Sequence, residues 1–254
     1  MTPLEAALVA LAGVAAGAIN TVVGSGTLIT FPTLLAFGVP PVTANVSNTV
    51  GLVPGSVSGA IGYRRELAGQ RARVLRLASA SLVGTVVGAV LLLVLPSAAF
   101  EAIVPVLIGL GCVLVVLQPR ISAWVARRHQ ALGGLPEHGA VWVWPMVLLA
   151  GVYGGYFGAA QGVLLMAIMG IGIDETLQRL NGVKNVLAGI VNAAAGLIFI
   201  VVADVDWAVA GLIALGAVLG AVAGARYGRR LSPTGLRVFI VAVGVAALVS
   251  FLTD

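Results

Sequence analysis

Long uncharged, apolar stretches dominate this chain and predict membrane-spanning helices. The first stretch runs from residue 6 to residue 63 without an Asp, Glu, Lys or Arg. Similar stretches follow at 77–100, 102–119, 138–173, 185–203, 207–225 and 238–253. A helix that crosses a bilayer needs roughly 20 such residues, so the pattern predicts an all-α integral membrane protein, a polytopic helical bundle with roughly eight to ten membrane segments.

The first stretch, 6–63, is far too long for one straight membrane helix, and glycine and proline divide it. A Gly-Ser-Gly sequence at 24–26 and a Gly-Val-Pro-Pro sequence at 38–41 bracket a short piece, 27–37, which we predict to be a half-helix or re-entrant segment. A matching short piece is expected at 163–169. Such interrupted segments in corresponding positions of two halves indicate the binding site of a transporter.

One pattern of small and polar residues occurs twice along the chain. The recurring glycines are 13, 17 and 24 in the first copy and 151, 155 and 162 in the second. Asn48 falls opposite Asn185 at nearly the same offset. We therefore predict two transmembrane repeats, residues 1–119 and 139–254, joined by a cytoplasmic linker at 120–138.

The charged residues predict how the repeats are oriented. Only 9% of the residues are charged, against about 25% in a typical soluble domain, and the net charge is +5. The arginines concentrate in three segments, 64–76, 120–128 and 226–237, which the positive-inside rule places in the cytoplasm. The loop at 204–206 and both termini carry no Lys or Arg and are expected outside. The repeats are then inverted, and the basic charge indicates membrane orientation rather than a nucleic-acid partner.

Lys184 is the leading candidate for function, because a cation near membrane depth is costly unless it has a partner or a task. It is the single lysine of the chain and lies at the edge of an apolar run. Two structural alternatives stay open: the side chain snorkels to the headgroups, or it pairs with Asp174 or Glu175.

Four asparagines complete the predicted site, Asn45 and Asn48 in the first repeat and Asn181 and Asn185 in the second. Amide donors close to helix N-termini suit an oxyanion, since free backbone N–H groups and the helix dipole add to them. The alternative is helix capping or hydrogen bonding between helices. We predict that the asparagines and Lys184 line one site near the midplane between the halves.

The predicted breaks supply further lining residues, Ser25, Gln161, Gly24, Gly26 and Gly162, whose backbone allows close approach. Packing of helices is the alternative for these glycines. We interpret two further series of glycines as contact faces between helices: those at 84 and 88, and those at 216, 220 and 224.

An enzyme is not expected. Both histidines, His129 and His138, fall in the linker, and the spans carry no cluster with catalytic or metal-ligand spacing. Cys112 is alone, so no disulfide or cysteine-based metal site is predicted. We expect no catalytic residues, no metal and no cofactor.

The chain resembles the sulfite exporter TauE/SafE family, also called the toluene sulfonate uptake permease family, over nearly its whole length. The motifs that carry the resemblance are residues 13–17, 24–26, 31–35, 40–45 and 63–66 in the first half and 154–162, 184–185, 205–207 and 228–230 in the second. The resemblance implies a multi-pass membrane protein that imports or exports small organosulfur anions such as sulfite, sulfonates or sulfoacetate-like compounds.

The sequence thus predicts a secondary-type anion transporter of the plasma membrane that works by alternating access between inverted halves. Its expected partners are a small anionic substrate and the lipid bilayer, and self-association stays open. Two other interpretations also stay open: a transporter of another small anion or oxyanion, and a membrane protein that transports nothing, either a scaffold or an intramembrane enzyme.

Overall fold

The computed structural model of the protein describes residues 1–131, 139–228 and 233–253, and these residues form ten α-helices. In chain order they are α1 (Pro3–Val22), α2 (Thr27–Ala36), α3 (Pro41–Gly62), α4 (Arg71–Val94), α5 (Ser97–Ala131), α6 (Val143–Tyr156), α7 (Gln161–Gly172), α8 (Leu177–Val202), α9 (Trp207–Tyr227) and α10 (Pro233–Thr253). The predicted all-α fold is confirmed. The second part of the expected linker, 132–138, lies outside the described residues, as do His138 and the side chain of His129.

Local sequence explains where several helices begin. Thr2 and Glu5 form a capping box at α1, in which the Thr2 hydroxyl accepts from the Glu5 N–H at 3.2 Å and the Glu5 carboxylate accepts from the Thr2 N–H at 2.8 Å. At α9, the Asp206 carboxylate accepts two backbone N–H bonds of the first turn. These caps satisfy donors that have no partner within the helix.

In each half, one interruption separates the first helix from a short second helix. The first break, residues 23–26, separates α1 from α2, and Gly24 adopts a φ of +91° there. The second break, residues 157–160, separates α6 from α7, with Gly158 at a φ of +75°. The helices that follow, of 10 and 12 residues, are too short to cross a hydrocarbon core of about 30 Å. Both predicted short pieces are confirmed, with α7 longer than expected.

Helix α1 packs against α9 through glycines and in the same direction. Gly13 lies beside Ile213 and Gly17 beside Ala217, so residue numbers rise together along the contact. A Cβ atom at Gly17 would overlap the Ala217 carbonyl, and one at Gly220 would overlap the α1 backbone. Close backbone contact of this kind stabilises helix pairs in membranes.

The same contact recurs between α6 and α4, which correspond to α1 and α9 in the other half. Gly84 lies against the backbone at Leu148 and Gly88 against the backbone at Val152. The expectation that these glycine series form helix contact faces is confirmed. In each case the first helix of one half packs on the fourth helix of the other half, so the two halves interlock.

The central helices α3 and α8 run in opposite directions. Gly189 lies beside Ser56, whereas Gly196, further along α8, lies beside Val50, which is earlier in α3. Helix α3 also runs parallel to α9, because Gly51 contacts Ile213 and Gly55 contacts Ala217. The equivalent helices of the two halves are therefore inverted with respect to each other, as the charge pattern predicted.

Five helices of the described part are long and apolar enough to span a membrane: α1, α4, α5 as far as Val125, α8 and α9. Helix α3 has 22 residues and no charged residue, but its asparagine, serine and threonine side chains make it more polar. Many of these polar side chains are buried inside the bundle. Buried polar groups at membrane depth indicate a functional region, which is therefore expected in the interior of the bundle.

Candidate functional site

The two breaks meet between the halves. The Gly162 N–H, at the start of α7, donates to the Gly24 carbonyl at 3.0 Å. A Cβ atom on either glycine would collide with the backbone of the other. Neither position can therefore carry a side chain without displacing its partner, and this contact is the reason for glycine at both.

Lys184 reaches this meeting point from α8. Its side chain is fully buried, with 0% of the residue exposed, and passes over Gly162, where an added Cβ would lie 3.1 Å from the Lys184 Cδ. The ammonium Nζ donates to the carbonyls of Asn20 at 2.9 Å and Thr21 at 3.2 Å. An ammonium has three N–H donors, so these two bonds leave one for a ligand.

The acceptors of Lys184 are carbonyls of the last turn of α1, which ends at Val22. Such carbonyls have no partner within the helix, and the helix dipole makes this end negative. The burial of the cation is thus offset by backbone groups. Neither alternative proposed for Lys184 is seen: the buried side chain does not snorkel, and its ammonium bonds are to backbone carbonyls rather than to Asp174 or Glu175.

Asn181 and Asn185 join Lys184 at the same helix end. Each amide Nδ2 donates to the Thr21 carbonyl at 3.3 Å. Both residues are buried, as is the Thr21 side chain. We call Asn181, Lys184 and Asn185, with the carbonyls of Asn20 and Thr21, the α1-end cluster.

Asn45 and Asn48 do not bond to the α1-end cluster: Asn45 bonds to the end of α6, beside the second break, and Asn48 bonds to α2, which follows the first break. The Asn45 amide donates to the Tyr156 carbonyl, at the end of α6, at 2.9 Å. The Asn48 side chain accepts from the Thr30 hydroxyl and donates to the Thr27 hydroxyl of α2. The structure therefore divides the predicted site into two groups, one at the end of α1 and one between α3, α2 and the end of α6.

The lysine and asparagine side chains were predicted to lie close to helix N-termini, and the structure differs from this prediction. Asn48 and Lys184 each lie seven residues after the start of their helix, about 10 Å inside it. The bonds of Lys184 and of Asn45 go to carbonyls at helix C-termini. Like α7, helix α2 has an N-terminus that follows a break, and it begins at Thr27.

Ser25 precedes that N-terminus and has a buried hydroxyl. Its Oγ is one of the buried polar atoms that have no hydrogen-bond partner among the described residues, and only 1% of Ser25 is exposed. Such atoms in a native structure call for a water or ligand. Gly26 packs closely on the Ala16 carbonyl of α1, so it serves the turn that brings Ser25 to this position.

Gln161 has a structural role. Its amide Nε2 donates to the Ala150 carbonyl of α6 at 3.0 Å and crosses Gly154, where any Cβ atom would strike it. The bond ties the start of α7 back to α6. Gln161 therefore stabilises the second break and does not point a free amide into a site.

An aromatic cluster at the second break was not predicted from the sequence. Phe157 packs edge-on against Phe31 of α2 at 5.0 Å between ring centroids, and Tyr156 against Phe100 of α5 at 5.6 Å. The Tyr156 hydroxyl is buried and has no hydrogen-bond partner among the described residues. The four rings come from three distant parts of the chain, so no local spacing indicates them.

An ionic link between the halves was not predicted from the sequence either. The Glu175 carboxylate, between α7 and α8, lies 3.0 Å from Arg73 of α4 and 3.0 Å from Arg179 of α8. Arg179 also donates to the Ala68 carbonyl at 3.0 Å. We call Arg73, Glu175 and Arg179 the Glu175 network. Arg179 is therefore part of a structural link.

The environment of Glu175 favours its charged form. Partial burial acts to raise the pKa of this carboxyl, but the Thr176 N–H and the guanidinium groups of Arg73 and Arg179 outweigh burial and lower the pKa below its ordinary value. Glu175 is therefore an anion at neutral pH and holds the first turns of α4 and α8 together.

The sequence of this chain is similar to those of known membrane transporters. The family model described as "Sulfite exporter TauE/SafE" matches residues 9–251. A "Probable membrane transporter protein ORF9" of Sinorhizobium is 28% identical over 94% of this chain and 89% of its own length. A "Probable membrane transporter protein YfcA" of Escherichia coli K12 is 26% identical over 100% of this chain and 92% of its own. No solved structure matches.

Proposed function

The chain belongs to the sulfite exporter TauE/SafE family, and from this premise we propose that it carries small organosulfur anions, such as sulfite and sulfonates, across the plasma membrane. The coarser statement needs no proposal: the chain is a membrane transporter and not an enzyme, since its family and its relatives are described as exporters and transporters.

The observation that carries the proposal is the buried ammonium of Lys184 at the meeting point of the breaks. A cation held away from water attracts an anion more strongly than an exposed one, because the local dielectric constant is low. Two of its N–H donors are held by α1 and the third is left for a substrate oxygen. A compact tetrahedral or pyramidal oxyanion fits a point charge of this kind.

The start of α2 supplies the second part of the proposed site. The N–H groups of Leu28 and Ile29 in the first turn of α2 bond to the carbonyls of Ser25 and Gly26, and the helix dipole makes this end positive. Ser25, two residues before α2, contributes a buried hydroxyl that can donate to an oxyanion. We place the substrate between Lys184, Ser25 and the start of α2, with Asn181 and Asn185 holding the carbonyls beside it.

Alternating access is proposed as the mechanism because the halves are inverted and interlocked around the two breaks. Inverted repeats of this kind move by rocking one part against another around a fixed site. The Glu175 network closes one end of the bundle with charges. At the other end the link between halves is neutral: the Asp206 N–H donates to the Ser47 hydroxyl at 2.9 Å.

The proposed orientation puts the Glu175 network on the cytoplasmic side and both termini outside. The three arginine-rich segments support it through the positive-inside rule. Single cysteines placed at Arg65 and at Asp204, in a Cys112→Ser background, test it. Labelling of the Asp204 position from outside and of the Arg65 position from inside supports the orientation, and the reverse labelling contradicts it.

The test of function is flux through the purified protein in liposomes. We expect uptake of radiolabelled sulfite or a sulfonate, competed by organosulfur anions and weakly by chloride and simple carboxylates. Competition by carboxylates alone would assign another small anion. Absence of flux for every anion, from protein that keeps its thermal unfolding transition, would support the scaffold interpretation and contradict the proposal.

A further inference from the structure

A basic cavity opens on the periphery of the helical bundle, at the level where α3 and α9 end. Its volume is about 790 Å³, and three of its lining residues are arginines: Arg64, Arg65 and Arg226. The first two follow the end of α3 at Gly62, and Arg226 lies in the last turn of α9. The Arg226 guanidinium lies 5.8 Å from the centroid of the Tyr227 ring.

This cavity lies on the exposed surface of α3 and α9 and is separate from the candidate transport site. Its apolar lining residues Ile61 and Val222 are 56% and 54% exposed. The opposite face of α3 carries Gly59, which packs against Thr21 of α1 and so points to the α1-end cluster. The three arginines therefore surround a surface site at the level where membrane helices end, which is the level of lipid headgroups.

A second cavity continues from the first along the groove between α3 and α8. It has a volume of about 490 Å³ and shares Ile61 and Arg64 with the basic cavity. Most of its other lining residues are apolar, namely Val57, Ala60, Val186, Ile190 and Ala193. The groove thus leads from a cationic opening at the helix ends toward the middle of the bundle.

We propose that the two cavities together bind one anionic phospholipid, with its phosphate at Arg64, Arg65 and Arg226 and one acyl chain in the α3–α8 groove. Guanidinium groups match phosphate oxygens with paired hydrogen bonds. Basic residues beside membrane helices attract anionic lipids. Burial of the methylene groups of the acyl chain in the groove holds the lipid in place. A free phosphate ion accounts for the basic cavity but gives no occupant to the apolar groove that continues from it.

The test measures lipid binding to the purified protein in neutral detergent by native mass spectrometry and thermal unfolding. The probes are phosphatidylglycerol, phosphatidylcholine and inorganic phosphate. We expect phosphatidylglycerol alone to bind and to raise the unfolding temperature. The triple variant Arg64→Gln, Arg65→Gln, Arg226→Gln should bind it about a hundredfold more weakly, at roughly fivefold per arginine. A charge-matched control, Arg71→Gln, Arg120→Gln, Arg237→Gln, should bind it as the wild type does.

A second pair of variants tests the groove without changing charge. Ala193→Phe fills the groove and should weaken phosphatidylglycerol binding roughly tenfold, whereas Ala223→Phe, at an exposed position of α9 outside both cavities, should not.

Three results would overturn the proposal. Equal binding of phosphatidylcholine and phosphatidylglycerol would remove the role of the arginines. Stabilisation by inorganic phosphate equal to that by the lipid would assign a free-anion site. Equal weakening by the two arginine triples would show a general effect of surface charge.

Discussion

The ends of α1 and α6 occupy equivalent places in the two halves, yet they are capped by different chemistry. At α1, one ammonium and two amides, from Lys184, Asn181 and Asn185, converge on the carbonyls of the last turn. At α6, the Asn45 amide donates to the Tyr156 carbonyl. The duplicated fold therefore supplies two breaks, and among the described residues they differ in that a lysine side chain caps the helix end at only one.

This difference explains how a buried cation is tolerated. An ammonium in an apolar interior is destabilising unless its charge is compensated, and the helix C-terminus carries roughly half an elementary negative charge. The compensation is partial, since no carboxylate takes part in the bonds of Lys184. In the proposed function, the remaining positive potential at this break attracts the substrate anion.

The largest expected effect is that of Lys184→Met, which removes the charge and keeps much of the volume. We expect anion flux in liposomes to fall at least about a hundredfold, because a charge pair in a low-dielectric site is worth several kcal/mol. The unfolding temperature should hold or rise, since a neutral side chain is cheaper at membrane depth. Lys184→Arg should not restore flux, because its planar fork is bulkier than an ammonium.

Asn45→Ala is the matched control at the other break and should keep most of the flux. If Lys184→Met transported at the wild-type rate, the two helix ends would be equivalent in function and Lys184 would be only a cap. If it lost both flux and its unfolding transition, the ammonium would be structural.

Gly24→Ala tests the contact between the breaks. Alanine is strained at a φ of +91°, and its Cβ would also overlap Gly162, so we expect destabilisation of at least about 2 kcal/mol and a low yield of folded protein. Gly38→Ala is the control, since Gly38 has a φ of +75° but nothing within 4 Å of an added Cβ. Equal thermal destabilisation by the two variants would show that backbone strain, and not the contact, requires glycine at position 24.

A smaller effect is expected when the asparagine amides that bond to the two helix ends are removed. Asn185→Ala and Asn45→Ala each remove a buried hydrogen bond to a helix end and should cost about 1 kcal/mol in the free energy of unfolding. Only Asn185→Ala should reduce the rise in unfolding temperature that sulfite produces. Equal reductions by both variants would mean that the substrate contacts both breaks, as the sequence predicted.

The smallest expected effect is that of Glu175→Gln, which removes the charge at the centre of the Glu175 network. A carboxyl whose pKa is lowered on folding stabilises the protein above its ordinary value of 4.5 and loses that contribution as the pH falls below it. Glu175→Gln should therefore reduce the free energy of unfolding by about 0.5 kcal/mol at pH 7 and by less at pH 3.5. A difference from wild type that does not change with pH would exclude the charge of Glu175 as the cause.

The sequence predicted the features that depend on local pattern. The breaks follow from glycine and proline placement, and the structure confirms the short piece at 27–37 as α2 and the one at 163–169 within α7. The inverted arrangement follows from the placement of arginine along the chain. Lys184 was identified because its charge is unusual in an apolar setting, which is also a local property.

The partners of these residues could not be predicted in the same way. Lys184 bonds to carbonyls more than 160 residues away, and a backbone carbonyl has no signature in the sequence. The asparagines were grouped into one site because they recur in both repeats, but inverting a repeat moves its copy to the opposite side of the symmetry centre. Repetition therefore predicted two equivalent positions and could not show which groups each side chain bonds to.

The proposed function depends above all on the binding of the transported anion by Lys184, at the end of α1. Isothermal titration of sulfite into the purified wild type, Lys184→Met and Asn45→Ala measures this binding. We expect wild type and Asn45→Ala to bind sulfite with similar affinity and Lys184→Met to show no measurable heat of binding. Sulfite binding to Lys184→Met with the affinity of the wild type would contradict it.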